Sequence, residues 1–138
     1  MYLLNIKCAI AVINDGYLKF DKIKILPNLE NVNFKSIIFI DINSDLESFR
    51  NVTCNNMVVL GKFSNFKSPS DFFRLGFKSL LLKDINEDLI KKIFETGSNR
   101  LEIISLNRMT FSKFDHKFDN FPSLRSVYLG GYPHGVKI

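Results

Sequence analysis

The sequence predicts an α/β solenoid, with a ladder of short parallel strands on a concave face and short helices and turns on a convex face. Three observations predict it. One stretch of the chain is repeated almost position for position, apolar residues recur in a fixed frame, and the copies are spaced at a nearly constant interval. The repeated stretch is Phe34-Lys35-Ser36-Ile37-Ile38-Phe39-Ile40-Asp41-Ile42-Asn43, echoed by Phe77-Lys78-Ser79-Leu80-Leu81-Leu82-Lys83-Asp84-Ile85-Asn86. An Asp-Leu pair follows both, at Asp45-Leu46 and Asp88-Leu89.

Reduced to its apolar skeleton, each unit reads apolar, two residues, apolar, one residue, apolar, two residues, and usually apolar again. The frame recurs at Cys54, Met57 and Val59, at Leu101, Ile104, Leu106 and Met109, and at Leu124, Val127, Leu129 and Tyr132. The clearest units therefore begin near residues 34, 54, 77, 101 and 124, at spacings of 20, 23, 24 and 23. Weaker copies begin near 3 (Leu3, Ile6, Cys8) and near 20 (Phe20, Ile23, Ile25), so the single domain spans 1–138.

Taken in order, the elements follow from this frame. The apolar stretch Met1 to Ile13 reads as a first strand, since it holds Lys7 and lacks the basic start and small-residue cleavage site of a secretory leader. In each later unit the two closely spaced apolar residues form a short strand whose alternate side chains face opposite ways. Ile37 and Phe39, Met57 and Val59, Leu80 and Leu82, Ile104 and Leu106, and Val127 and Leu129 point inward and stack into a core. Between strands the chain returns through Ser44 to Asn51, where Leu46 and Phe49 share one helical face, and through Ser64 to Gly76 with Pro69. The clearest return is Asn86 to Gly97: Asn86 caps a helix carrying Leu89, Ile90, Ile93 and Phe94, and Gly97 ends it. Ser64 to Gly76 and Thr110 to Pro122, the latter with Phe111, Phe114, Phe118 and Phe121 on the convex side, are expected as short helical turns anchored by phenylalanine.

This pattern resembles the leucine-rich repeat family's L-x-x-L-x-L-x-x-N/C-x-L motif from about Phe34 to Tyr132, with spacings inside the family's 20 to 29 residues. The Asn/Cys position reads Ile42, Lys62, Ile85, Met109 and Tyr132, so the side chain that usually satisfies the turn backbone is missing. The resemblance is therefore to irregular repeats, of the divergent kind seen in F-box-type adaptors and in proteins of AT-rich protists or large DNA viruses. It implies a protein-binding module; no F-box is recognisable in Met1 to Lys19, which contains no helical Leu-Pro box. The competing architecture is a doubly wound parallel sheet, but Ile42 to Met57 leaves too little chain for a loop, a crossover helix and a second loop.

Composition narrows the functions. The net charge of +5 arises from lysines interleaved with acids and apolar residues, with no block of like charge, which argues against nucleic acid. No stretch approaches 18 uncharged apolar residues, which argues against a membrane span. Cys8 and Cys54 form neither a disulfide framework nor a zinc site, and an intracellular, cytoplasmic setting fits them. His116 and His134 lie in expected loops without a nucleophile beside them, and Asp115-His116-Lys117-Phe118-Asp119 matches no metal-ligand spacing. Gly130-Gly131-Tyr132-Pro133-His134-Gly135 lacks the order that cradles phosphate, and Asn51-Val52-Thr53 fits a glycosylation acceptor only in a secreted protein. No catalytic residue, cofactor, metal or small-molecule substrate is expected.

What a solenoid offers is its strand face. The outward positions are Ser36, Ile38 and Ile40 in the first clear unit, Asn56, Val58 and Leu60 in the second, and Ser79, Leu81 and Lys83 in the third. Ile103, Ser105 and Asn107, then Ser126, Tyr128 and Gly130, continue them. The expected partner-binding residues are Ile38, Ile40, Val58, Leu60, Leu81, Lys83 and Tyr128, and the expected partner is another protein. The alternative is a structural or decoy protein whose apolar face is buried in a homo-oligomer, and a chain of so few units without capping repeats also leaves open a fragment or degenerate copy.

Overall fold

Alternating apolar and polar residues along each short strand leave one sheet face to be covered and one to be wetted, and the chain arranges its strands accordingly. A computed structural model describes residues 2–3, 10–14, 16–64, 69–109 and 115–130. Among these residues eight strands form one sheet in strict chain order: β1 (Tyr2–Leu3), β2 (Ile10–Asn14), β3 (Tyr17–Asp21), β4 (Leu29–Asn43), β5 (Phe49–Ser64), β6 (Ser79–Lys83), β7 (Ile103–Asn107) and β8 (Ser126–Gly130). The first two pairings are antiparallel, and the six strands from β3 to β8 are all parallel. Among the described residues the strand order does not reverse, as it does at the switch point of a doubly wound sheet.

The expected inward residues sit where the frame puts them. Leu18, Ile37, Met57, Leu80 and Ile104 are register partners in one row and Phe20, Phe39, Val59, Leu82 and Leu106 in the next, and all are buried. The exception is β8: Val127 is 40% exposed and Leu129 is only partly buried. Strands β3 to β7 each have a strand on both sides, whereas among the described residues β8 has only β7.

Two registers differ from the sequence reading. The weak unit near residue 20 takes Leu18 and Phe20 as its inward pair, not Ile23 and Ile25, because these residues pair with Ile37 and Phe39; Ile25 is 78% exposed in the loop that follows. The N-terminal stretch is not one strand, since β1 and β2 are separate and antiparallel to each other. The remainder of the weak unit near 3, Ile6 and Cys8, lies outside the described residues.

The backbone after each strand core turns through a left-handed corner. Lys22, Asp41, Gly61, Asp84 and Arg108 follow the strand core of successive units and all have left-handed φ, between 49° and 77°. At these corners the backbone keeps bonding to the neighbouring unit: Lys22 N–H donates to the Ile40 carbonyl, Asp84 N–H to Asn107 and Arg108 N–H to Gly130, at 2.8 to 3.1 Å. No side chain is then needed to satisfy these donors. The next position turns back inward and is apolar and buried throughout, as Ile23, Ile42, Phe63, Ile85 and Met109. In β5 this residue is Phe63 and not Lys62, because a bulge sets Gly61 and Lys62 against Asp41 alone, so Ile42 pairs with Phe63.

The returns are short. Ser44 to Asn51 forms a turn and the start of β5 in place of the expected helix, though Leu46 and Phe49 are buried as expected. β4 and β5 stay paired from Leu29 and Phe49 onward, each bending at a left-handed asparagine, Asn31 and Asn51, whose side chains hydrogen-bond to each other at 2.9 Å. Later returns carry α1 (Pro69–Phe73) and α2 (Glu87–Thr96). Asn86 Oδ1 accepts from the Leu89 N–H at 2.9 Å at the start of α2, whose Leu89, Ile90, Ile93 and Phe94 are buried in the same core as the strands. At its far end Asn120, from the following return, donates to the carbonyls of Phe94 and Glu95. Phe121 is buried and Phe118 packs against the core, while Phe111 and Phe114 lie outside the described residues.

Aromatic rings link the layers. Phe20, Phe39 and Phe63 lie 6.0 and 5.6 Å apart along the sheet, Phe63 meets Phe72 of α1 at 6.1 Å, and Phe94 of α2 meets Phe121 at 5.3 Å. Strand and helix side chains thus close one core on one side of the sheet, leaving its other face for whatever the outward residues can do.

Candidate protein-binding face

The parallel registers align the outward residues into three rows across six strands. The middle row runs Lys19, Ile38, Val58, Leu81, Ser105, Tyr128. The row beyond it runs Asp21, Ile40, Leu60, Lys83, Asn107, Gly130, and the row before it Tyr17, Ser36, Asn56, Ser79, Ile103, Ser126. Every expected partner-binding residue lies on this face. Ile38, Ile40, Val58, Leu60 and Leu81 form one contiguous apolar block on β4, β5 and β6, with Lys83 at its corner. These six are half-buried by their neighbours in place of fully exposed, and Tyr128, two strands away, is 60% exposed.

Parallel neighbours lie about 4.8 Å apart and next-nearest residues in a strand about 6.6 Å apart, so the block measures roughly 10 by 7 Å. An area of that size receives one or two large apolar side chains. Its border is polar on one side, where Ser36 is buried and the Asn56 amide lies 3.4 Å from both the Ser36 hydroxyl and the Lys35 carbonyl.

The structure adds residues of β3 that the sequence frame had placed elsewhere. Tyr17, 45% exposed, Lys19 and Asp21 extend the face by one strand. The alternation Tyr17-Leu18-Lys19-Phe20-Asp21 carries that signal in the sequence, with apolar residues at every second position. Asp21 ends the block with a buried Oδ1 that has no hydrogen-bond partner.

Other chemistry is sparse among the described residues. Cys54 is a buried thiol whose loss of solvent pushes its pKa up from about 9 to about 12, against a smaller lowering by a backbone hydrogen bond with Ile37. His116 stacks on Phe94 at 5.3 Å beside an open groove between α2 and the last return. No three His, Cys, Asp or Glu side chains among the described residues gather where a metal could be held. No helix among them is long and apolar enough to cross a membrane. His134 lies outside the described residues.

Compared with known proteins, the chain matches no family model, no curated protein and no solved structure.

Proposed function

We propose that this chain is an irregular leucine-rich-repeat-like solenoid that binds another protein through its strand face, without catalysis. The observation that carries the reading is the register that gathers Ile38, Ile40, Val58, Leu60 and Leu81 into one apolar block, on the face opposite the chain's own helices. A contiguous apolar area on a repeat protein's strand face is where such proteins meet partners. The solenoid reading is supported by strands in strict chain order and by the left-handed corner that recurs after each strand. The unpaired Cys54 suits a reducing, intracellular setting.

The test compares the wild-type chain with the Ile38→Asn, Val58→Asn, Leu81→Asn variant, each first checked by circular dichroism, in capture from a lysate of the source cell. A protein retained by the wild type and lost by the folded variant is the expected result. If the wild type captures nothing, and is a dimer in solution that the variant converts to monomer, the face serves self-association and the structural alternative replaces this reading.

A further inference from the structure

Charge on this chain is unevenly placed, and the unevenness falls mainly on the rims of the proposed binding face. The three outward rows are flanked by two rims in the same registers. One is the row of corner residues from Lys22 to Arg108, with Lys62 beside Gly61 in the bulge; the other runs from Gly16 through Lys35, Lys78 and Glu102 to Arg125, tied by backbone hydrogen bonds at 2.7 to 2.9 Å. The face and rims together hold eight Lys and Arg against four Asp and Glu, a net +4 out of the chain's +5. All other residues together are nearly neutral.

Pairing sharpens the contrast. Three of the eight cations are matched locally: Lys78 and Arg125 lie 3.9 and 3.2 Å from Glu102, and Arg108 lies 3.4 Å from Asp84. Asp41 turns its Oδ1 to the Lys62 backbone N–H, at 2.9 Å, so its charge is held at the rim. Lys19, Lys22, Lys35, Lys62 and Lys83 form no ion pair with any described residue, and all but half-buried Lys83 are exposed. Lys19 and Lys83 are the closest to the apolar block, at its opposite ends: Lys19 adjoins Ile38 across β3 and β4, and Lys83 adjoins Leu60 across β5 and β6.

An aliphatic centre with an unpaired ammonium group at each of two opposite ends and more along the rims, interrupted by the Asp21 carboxylate beside Ile40, matches one kind of surface. We infer that the partner presents an acidic amphipathic segment, whose apolar side chains seat on Ile38, Val58 and Leu81 while its carboxylates meet Lys19, Lys83 and the rim lysines. Nucleic acid shares the charge but not the centre: bases stack on aromatic rings, and here branched aliphatic residues occupy the middle. The inference rests on the protein-binding reading above and adds to it the chemistry of the partner. Complementary charge of this kind sets orientation and association rate and is weakened by salt.

The test pans a random peptide library against the immobilised chain and against the Ile38→Asn, Val58→Asn, Leu81→Asn variant. Peptides recovered by the wild type alone are expected to be enriched in Asp and Glu beside Leu, Ile or Phe. A synthetic representative is then titrated onto Lys19→Glu, Lys83→Glu protein, whose exchanges are at the surface. The expected loss is about tenfold or more, restored by a peptide with its acids changed to lysines. If the face-dependent peptides are neutral or basic, or the charge swap restores nothing, the acidic partner is wrong while the binding face stands. If the wild type recovers nothing that the variant does not, the binding face falls as well. A duplex DNA that displaces the peptide and binds more tightly than it would overturn the inference in favour of nucleic acid.

Discussion

Gly61 is the residue on which the bulge between β4 and β5 depends most directly. Its φ is 77°, and a Cβ added there would overlap the Asp41 carboxylate that receives the Lys62 N–H. Gly61→Ala therefore combines left-handed strain of about 1 kcal/mol with loss of that hydrogen bond, for a total near 2 to 3 kcal/mol. In an Asp41→Ala background the same change should cost clearly less, because the overlap is gone; an equal cost in both backgrounds, by urea denaturation, would show that the carboxylate is not involved. Cys54 makes a second prediction at this scale. Its pKa is higher folded, about 12, than unfolded, about 9, so between these values the folded state keeps a proton that the unfolded state has lost. Stability from this group is complete below pH 9 and falls as pH rises, by up to about 1.4 kcal/mol per unit. The wild-type curve should therefore decline more steeply than that of Cys54→Ala across this window, and parallel curves would refute the assignment.

Helix α2 shows what one element contributes and how it is tied to the next. Its start depends on its own chain, through Asn86, and its end on a side chain from a later return, Asn120. Asn86→Ala should cost about 1 kcal/mol, the usual value for a lost N-cap. Asn120→Ala should cost at least as much, because two carbonyls lose their donor and the last return loses its anchor. If Asn120→Ala is neutral in thermal denaturation, the return holds by its phenylalanines and by the bonds of the Asn120 carbonyl to Ser98 N–H and of the Ser123 hydroxyl to the Asn99 carbonyl. This helix was fully legible in the sequence, with its cap, four apolar residues on one face and terminal glycine. The turn at Ser44 to Asn51 was not: Leu46 and Phe49 fit a helix and a turn equally well, and the choice depended on β5 pairing with β4 as early as Phe49. A related limit applies to β3, where Phe20, Ile23 and Ile25 satisfy the apolar frame while Leu18 and Phe20 satisfy strand alternation, and pairing with Ile37 and Phe39 decides between them. The apolar block of the candidate face was legible because alternation alone divides β4, β5 and β6 into inward and outward sets. The charged border was not, since corner residues such as Lys22 and Lys62 join it only through the register between units.

Across the whole molecule, burial of equivalent residues depends on their place in the strand order. Leu80 lies mid-stack with no solvent contact, and Val127, the equivalent residue on β8, is 40% exposed. Each inward side chain is covered mainly by the same position on the strands before and after it, so a residue with one such neighbour has less to lose. Leu80→Ala should therefore cost about 2 to 5 kcal/mol, whereas Val127→Ala should cost below about 1 kcal/mol. The same gradient should appear in hydrogen exchange. β4 and β5 run over 15 and 16 residues and have strands on both sides at 36–40 and 56–60, so the amides of those segments should exchange near the rate set by global unfolding. The amides of β8 should exchange orders of magnitude faster, through local opening that leaves β4 to β6 intact. A repeat array whose units contact only their neighbours can open from an end in this way, while a sheet closed by one shared core opens as a whole. Uniform protection from β3 to β8 would therefore count against the solenoid itself. Protection that falls stepwise toward β8, with Val127→Ala accelerating β8 alone, would mean that the intact β4–β6 block can present its apolar face even while the end of the ladder is open.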